Sequence, residues 1–178
     1  MKRFLWLVLL PAIALGQTQT PSSPAQSMTK QFIGAWRLVS VQTVRANGEV
    51  IFPFYGKHPE GILIYDASGW MSVQIVSDPK PTMPAADSRG TFLTAPAADK
   101  VKAIDGYYAY YGSWTVDVSA STVTHHIRES LYPGERGKDF VRKFTFEGNR
   151  LTLMAQVHEM GEDHVRHLVW ERVPPSKE

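Results

Sequence analysis

The sequence predicts an all-β fold, an antiparallel up-and-down β-barrel of about eight to ten strands with one short helix between strands four and five. Three observations predict it. Nine β-prone runs follow one another, at 34–46, 49–54, 62–65, 70–77, 107–117, 122–131, 138–146, 150–158 and 163–173, and all but one junction is a short turn. The first and last runs, Gly34-Ala35-Trp36-Arg37-Leu38-Val39-Ser40-Val41 and Leu168-Val169-Trp170-Glu171-Arg172-Val173, are both apolar and tryptophan-bearing. Such a pair suits strands that meet and leave the sheet without a free edge. Finally, the 178 residues contain no cysteine, so the core must hold the fold without disulfides.

What precedes the first run is not expected to belong to the fold. Met1-Lys2-Arg3 is cationic, residues 4–15 form a twelve-residue uncharged stretch, and Ala14-Leu15-Gly16 puts small residues where a signal peptidase reads. Residues 1–16 therefore read as a signal peptide, and the mature protein as exported, to the periplasm or the medium. The apolar stretch is short of the ~20 residues that a spanning helix needs, and nothing after residue 16 comes closer. Residues 17–29, rich in Gln, Thr, Ser, Pro and Ala, read as a disordered linker, 30–173 as one domain, and 174–178 as a disordered tail. The formal net charge is +2 from 19 basic and 17 acidic residues, interspersed, which argues against a nucleic-acid partner.

Within the domain, Trp36, Leu38, Ser40, Gln42 and Val44 alternate with Arg37, Val39, Val41, Thr43 and Arg45, and Asn47-Gly48 then makes a hairpin turn into 49–54, ended by Pro53. Asp66-Ala67-Ser68-Gly69 joins the next hairpin, with Gly69 free to take a left-handed conformation. Residues 78–92 show no period and read as a long loop. Residues 96–105 carry Val101 and Ile104 at helical spacing, begin with Pro96 and meet Gly106, so they read as the single helix. A connection of this length, 78–105, is the expected cover for one mouth of the barrel. The remaining strands are separated by turns at 119–121, 133–137, 147–149 and 159–162.

An ordered set of segments carries a family resemblance. They are Gly34-Ala35-Trp36-Arg37-Leu38-Val39-Ser40, Gly61-Ile62-Leu63-Ile64-Tyr65 with Gly69-Trp70-Met71-Ser72-Val73-Gln74, and Tyr110-Tyr111-Gly112-Ser113-Trp114. Val123-Thr124-His125-His126, Arg142-Lys143-Phe144, Gly148-Asn149-Arg150-Leu151-Thr152-Leu153 and Val169-Trp170-Glu171-Arg172 complete the set. In these the chain resembles the bacterial lipocalin-like domain proteins, relatives of the lipocalin and fatty-acid-binding barrels, over about 33–173. The resemblance implies that Trp36 sits at the closed end of the barrel with Arg172, from the last strand, lying across it. A guanidinium plane stacks well on an indole while its N–H groups reach main-chain carbonyls. The chain departs from ordinary lipocalins in lacking a disulfide and in placing a helix between strands four and five rather than after the last.

Strand period selects the candidate lumen. Phe140, Arg142, Phe144 and Phe146 share one face, which places Arg142 among phenylalanines. Arg142 there either receives an acidic ligand headgroup through a bidentate contact, or is satisfied by Glu129 or Asp139, or faces solvent. Val123, His125 and Ile127 share a face, so His125 points inward, as a hydrogen-bonded core histidine or as an acid–base group. Tyr108, Tyr110, Gly112, Trp114 and Val116 share another, and Gly112 leaves room beside Trp114, so these aromatics are pocket wall or ordinary core. Phe144 adds wall, and with the register that the resemblance implies so do Tyr65, Met71 and Val73. If Met160-Gly161 centres its turn, His158 and His164 oppose each other, with Glu159 or Asp163 as a third ligand, but the spacing matches no established metal motif and neither metal nor cofactor is expected.

No Gly-x-Ser-x-Gly, phosphate loop, His-Glu-x-x-His or cysteine nucleophile is present. The expected function is therefore binding of a small apolar or amphipathic molecule, acids included, with no catalytic residue assigned. The alternative is a cyclase, isomerase or hydratase using the same cavity, with His125, Arg142 and a tyrosine as acid–base groups.

Overall fold

The computed structural model describes residues 24–52, 54–82, 88–159 and 161–174. The expected signal peptide at 1–16, the expected linker up to 23, the expected strand stop at Pro53, the expected centring of the last turn on Met160 and the expected tail from 175 therefore lie outside the described residues.

Alternating burial shapes the strands into one antiparallel sheet. In chain order they are β1 (Gly34–Arg45), β2 (Val50–Ile51), β3 (Glu60–Tyr65), β4 (Trp70–Val76), β5 (Tyr107–Asp117), β6 (Thr122–Ser130), β7 (Asp139–Glu147), β8 (Arg150–Glu159) and β9 (Glu162–Arg172). Each of β3 to β9 pairs with its sequence neighbour, and β9 returns to β1 from Trp36↔Arg172 to Arg45↔His164, which closes an eight-stranded barrel. The short β2 continues the line of β3 along the other edge of β1, at Thr43↔Ile51 and Val44↔Val50. The run 49–54 was expected to be one strand, but only two residues pair, and Phe54 already has a φ of 68°.

Two bulges set the inward faces. Val39 is the extra residue between the Leu38↔Trp170 and Ser40↔Val169 pairs. It shifts the buried positions of β1 from Trp36 and Leu38 to Val41 and Thr43, so the unbroken alternation expected through Ser40 and Val44 does not occur. Arg128 is the extra residue opposite Tyr111 and Gly112. A Cβ on Gly112 would lie 1.9 Å from the carbonyl oxygen of His126, so the β6 backbone fills the space that was expected beside Trp114.

The closed end is sealed by a helix that composition concealed. α1 (Pro24–Phe32) begins inside the stretch read as a linker; its signal is the pair Met28 and Phe32, one turn apart, within otherwise polar sequence. Phe32 is fully buried and meets Tyr65, Trp114, Phe144 and Phe146 at ring-centroid distances of 5.3, 5.7, 4.9 and 4.9 Å. Trp36 Nε1 donates to the Phe32 carbonyl at 2.8 Å, and the Arg172 guanidinium lies 4.1 Å from the Trp36 ring centroid. Arg172 also donates to the carbonyls of Ile33, at 2.8 Å, and Gln31. Gly34, at φ 130°, makes the turn from α1 into β1, and its missing side chain leaves room for the same guanidinium.

At the other end, the β4–β5 connection holds two helices where one was expected: α2 (Arg89–Thr94) and α3 (Ala97–Asp105). Ser88 caps α2 in a reciprocal box with Thr91, a threonine in the place usually taken by Glu or Gln, which is why the signal was missed. Neither helix buries a residue completely. No helix among the described residues is long and apolar enough to cross a membrane.

This packing makes the closed end a stability element. Phe32→Ala is expected to cost about 3–5 kcal/mol, and Arg172→Met about 2 kcal/mol through the lost stacking and the two orphaned carbonyls, both read from urea unfolding midpoints. A Phe32→Ala protein as stable as the parent would show that α1 merely rests on the barrel.

Candidate functional site

The upper half of the barrel encloses a cavity of about 560 Å³. Its wall comes from the inward faces of β4 to β9: Val73 and Ile75; Tyr108 and Tyr110; His125; Phe140 and Arg142; Leu153 and Ala155; Arg166, Leu168 and Trp170. The connections at the open end add Phe54, Tyr55, Asp105, Tyr132 and Glu135. Of the described part of the 78–105 connection, Asp105 alone reaches the lining.

The predicted site residues divide by depth. Tyr108, Tyr110, His125 and Arg142 line the cavity. Tyr65, Met71, Trp114 and Phe144 are buried in the packed core and are not among the lining residues. The tyrosine-rich face of β5 is thus both things: wall at Tyr108 and Tyr110, core at Trp114. Trp36 and Arg172 lie at the closed end, away from the cavity. Sequence reasoning missed the far wall, Arg166 with Glu159, and the rim aromatics Tyr55 and Tyr132; these become wall only through the curvature of the closed sheet.

At the bottom of the cavity His125 is completely buried between two tyrosines. Its Nε2 is 2.6 Å from the Tyr65 hydroxyl and its Nδ1 is 2.8 Å from the Tyr110 hydroxyl. Burial first, then the charges of Arg142 and of His126, push the imidazole well below its ordinary value of 6.5, so it is neutral. Burial likewise raises the Tyr65 and Tyr110 phenols, although the charge of Arg142 pulls against it.

Arg142 faces this group from β7. Its guanidinium is 5.4 Å from the Phe140 ring centroid, and its charge acts on the Tyr110 phenol. Neither expected counter-ion serves it. Glu129 pairs with Arg136 at 2.8 Å and Asp139 with His126 at 2.7 Å. Among the described residues no carboxylate lies within ion-pair distance of Arg142. The other arginine of the wall, Arg166, is bound to Glu159 and donates to Thr43 at 3.4 Å.

The rim is held by polar contacts of its own. Tyr108 and Ser130 donate to Glu135 Oε2 at 2.9 and 2.6 Å, and Tyr132 stacks on Tyr108 with centroids 5.4 Å apart. The histidine cluster of the last hairpin does not assemble. The register sets His158 against Asp163 and His164 against Val157. His158 bonds Asp163 at 2.8 Å on the exposed side while His164 is buried, so the two histidines occupy opposite faces. No group of three metal-ligating side chains occurs among the described residues.

The buried neutral imidazole carries a pH dependence with a definite sign. The unfolded chain takes up a proton below the ordinary value of 6.5 and the folded protein does not, so stability falls as pH drops through that value. Denaturant midpoints measured at about pH 7.5 and about pH 5.5 are expected to fall more steeply for the parent than for His125→Gln. Equal slopes would place a charge on the native imidazole.

No curated protein matches the chain. A family profile described as a lipocalin-like domain matches residues 33–173, from the residue before the Gly34–Trp36 opening to the residue after Arg172. The match spans every strand of the closed barrel and most of the 178 residues, so the chain belongs to the lipocalin-like domain family.

Proposed function

We propose that this barrel binds a small amphipathic molecule with an acidic group, the acid resting on Arg142 and Tyr110 and the apolar part against Val73, Ile75, Leu153 and Leu168. A lipocalin-like barrel is a small-molecule-binding architecture, and about 560 Å³ falls in the range of ordinary ligand sites. The observation that carries the acidic headgroup is Arg142 itself, a cation inside the barrel without a carboxylate partner among the described residues. Buried charges require partners, and a carboxylate entering the cavity fits a guanidinium by two parallel hydrogen bonds.

The competing reading, turnover of a substrate by a cyclase, isomerase or hydratase, would use His125 as base. Both nitrogens of that imidazole are occupied by tyrosines, and burial disfavours the protonated form, which supports a positioning role instead.

A fluorescent fatty carboxylate and its methyl ester test the binding reading. The acid is expected to bind more tightly than the ester, and Arg142→Met is expected to weaken the acid by about ten- to a hundredfold while sparing the ester, the equivalent of a charged hydrogen bond of roughly 1.5–3 kcal/mol. An Arg142→Met protein that still prefers the acid would overturn it.

We further propose that the protein acts outside the cytoplasm, on the strength of the cationic start, the uncharged stretch and the small residues at Ala14 and Gly16. N-terminal sequencing of protein recovered from the periplasm or medium is expected to begin at Gln17. Recovery of uncleaved chain from the cytoplasm alone would refute export.

A further inference from the structure

The tyrosine–histidine–tyrosine chain has a direction, and hydrogen counting finds it. Three neutral groups, Tyr65, His125 and Tyr110, carry one hydrogen-bonding hydrogen each on these atoms, yet only two hydrogen bonds link them. One hydrogen is left over, and it sits at one end of the chain or the other.

If Tyr110 donates to Nδ1, then Nε2–H must donate to Tyr65, and the Tyr65 hydrogen is the spare. Tyr65 is 1 % exposed, packed against Phe32 and Trp114, and has no further hydrogen-bond partner among the described residues. A buried donor without an acceptor is costly. If Tyr65 instead donates to Nε2, then Nδ1–H donates to the Tyr110 oxygen, and the spare hydrogen belongs to Tyr110. That hydroxyl lines the cavity, as Arg142 does, and its oxygen can accept from His125 Nδ1–H while its hydrogen stays free for a cavity occupant.

We infer that Tyr65 holds His125 as its Nδ1–H tautomer, and that this turns the Tyr110 hydroxyl into a donor aimed, with Arg142, at the ligand. The inference rests on the acid-binding reading above and narrows it. The bottom of the cavity then offers donors only, so it takes an acceptor-only oxyanion such as a carboxylate. It discriminates against alcohols, amides and esters of the same shape. Tyr65 is a positioning residue that sets this preference without touching the ligand.

Ring ¹⁵N spectra of the whole, ligand-free, uniformly labelled protein read the tautomer directly. His125 Nδ1 is expected to show the pyrrole-type signal with an attached proton and Nε2 the pyridine-type signal; the reverse assignment overturns the inference, whatever the protein binds. With the fluorescent carboxylate and its methyl ester as probes, Tyr65→Phe and Tyr110→Phe are each expected to lower acid affinity by about tenfold. Ester affinity should stay within about twofold, and the double variant should lose no more than either single one. A mere loosening of the core would weaken both probes together, and that outcome, or additive losses, counts against the relay. Failure of the parent to prefer acid over ester, with Nδ1 still protonated, would refute the acid-binding reading and leave the tautomer standing.

Discussion

Pairing of the first strand with the last is the constraint on which the rest of the structure depends. β1 is bonded to β9 from Trp36 to Arg45, and without that ladder the sheet would be an open ribbon with two exposed edges. Closure also fixes register. Because a one-residue slip turns every side chain to the opposite face, the bulge at Val39 decides that Val41 and Thr43, rather than Ser40 and Val44, point inward. The same ladder brings Arg172 to Trp36, and through Arg172 the carbonyls that end α1 are held against the closed end.

Eight strands enclose a narrow interior, and this chain divides it by depth. The lower part is filled by Phe32, Trp36, Tyr65, Trp114 and Phe144, large rings that meet edge to face or tilted. The upper part is lined by branched aliphatic side chains and by tyrosines standing at the wall, which leaves a cavity. Packed core and open cavity are therefore separated along the barrel axis, with His125 at the boundary between them.

The interior polar groups follow from the same partition. Thr43, Arg166 and Glu159 satisfy one another on one wall. His125 is satisfied by two hydroxyls, one from the neighbouring strand β5 and one from β3, which is not a neighbour of β6 and reaches it across the barrel interior. Among the described residues that line the cavity, Arg142 is an arginine without a carboxylate partner. Low dielectric strengthens a contact made there, and the same low dielectric makes an unmatched one costly. A cation left in this position is accordingly the feature on which the proposed binding of an acid rests.

The amino-acid sequence by itself determined what depends on local period and on paired end motifs. These were nine β runs, the inward faces of β5, β6 and β7, the tryptophan–arginine pairing at the closed end, and the candidacy of Tyr108, Tyr110, His125 and Arg142. The runs, the faces and the candidates are legible because strand alternation is a two-residue rule that needs no knowledge of the partner strand, and the tryptophan–arginine pairing is what the family resemblance implies. Tertiary structure decided everything that depends on which strands become neighbours. It assigned Tyr65, Met71, Trp114 and Phe144 to core rather than wall, brought Arg166 and Tyr132 to the cavity, and took Glu129 and Asp139 away from Arg142. It also turned a polar stretch into α1, whose helical signal is two apolar residues that become meaningful only when the barrel offers them a hole to fill.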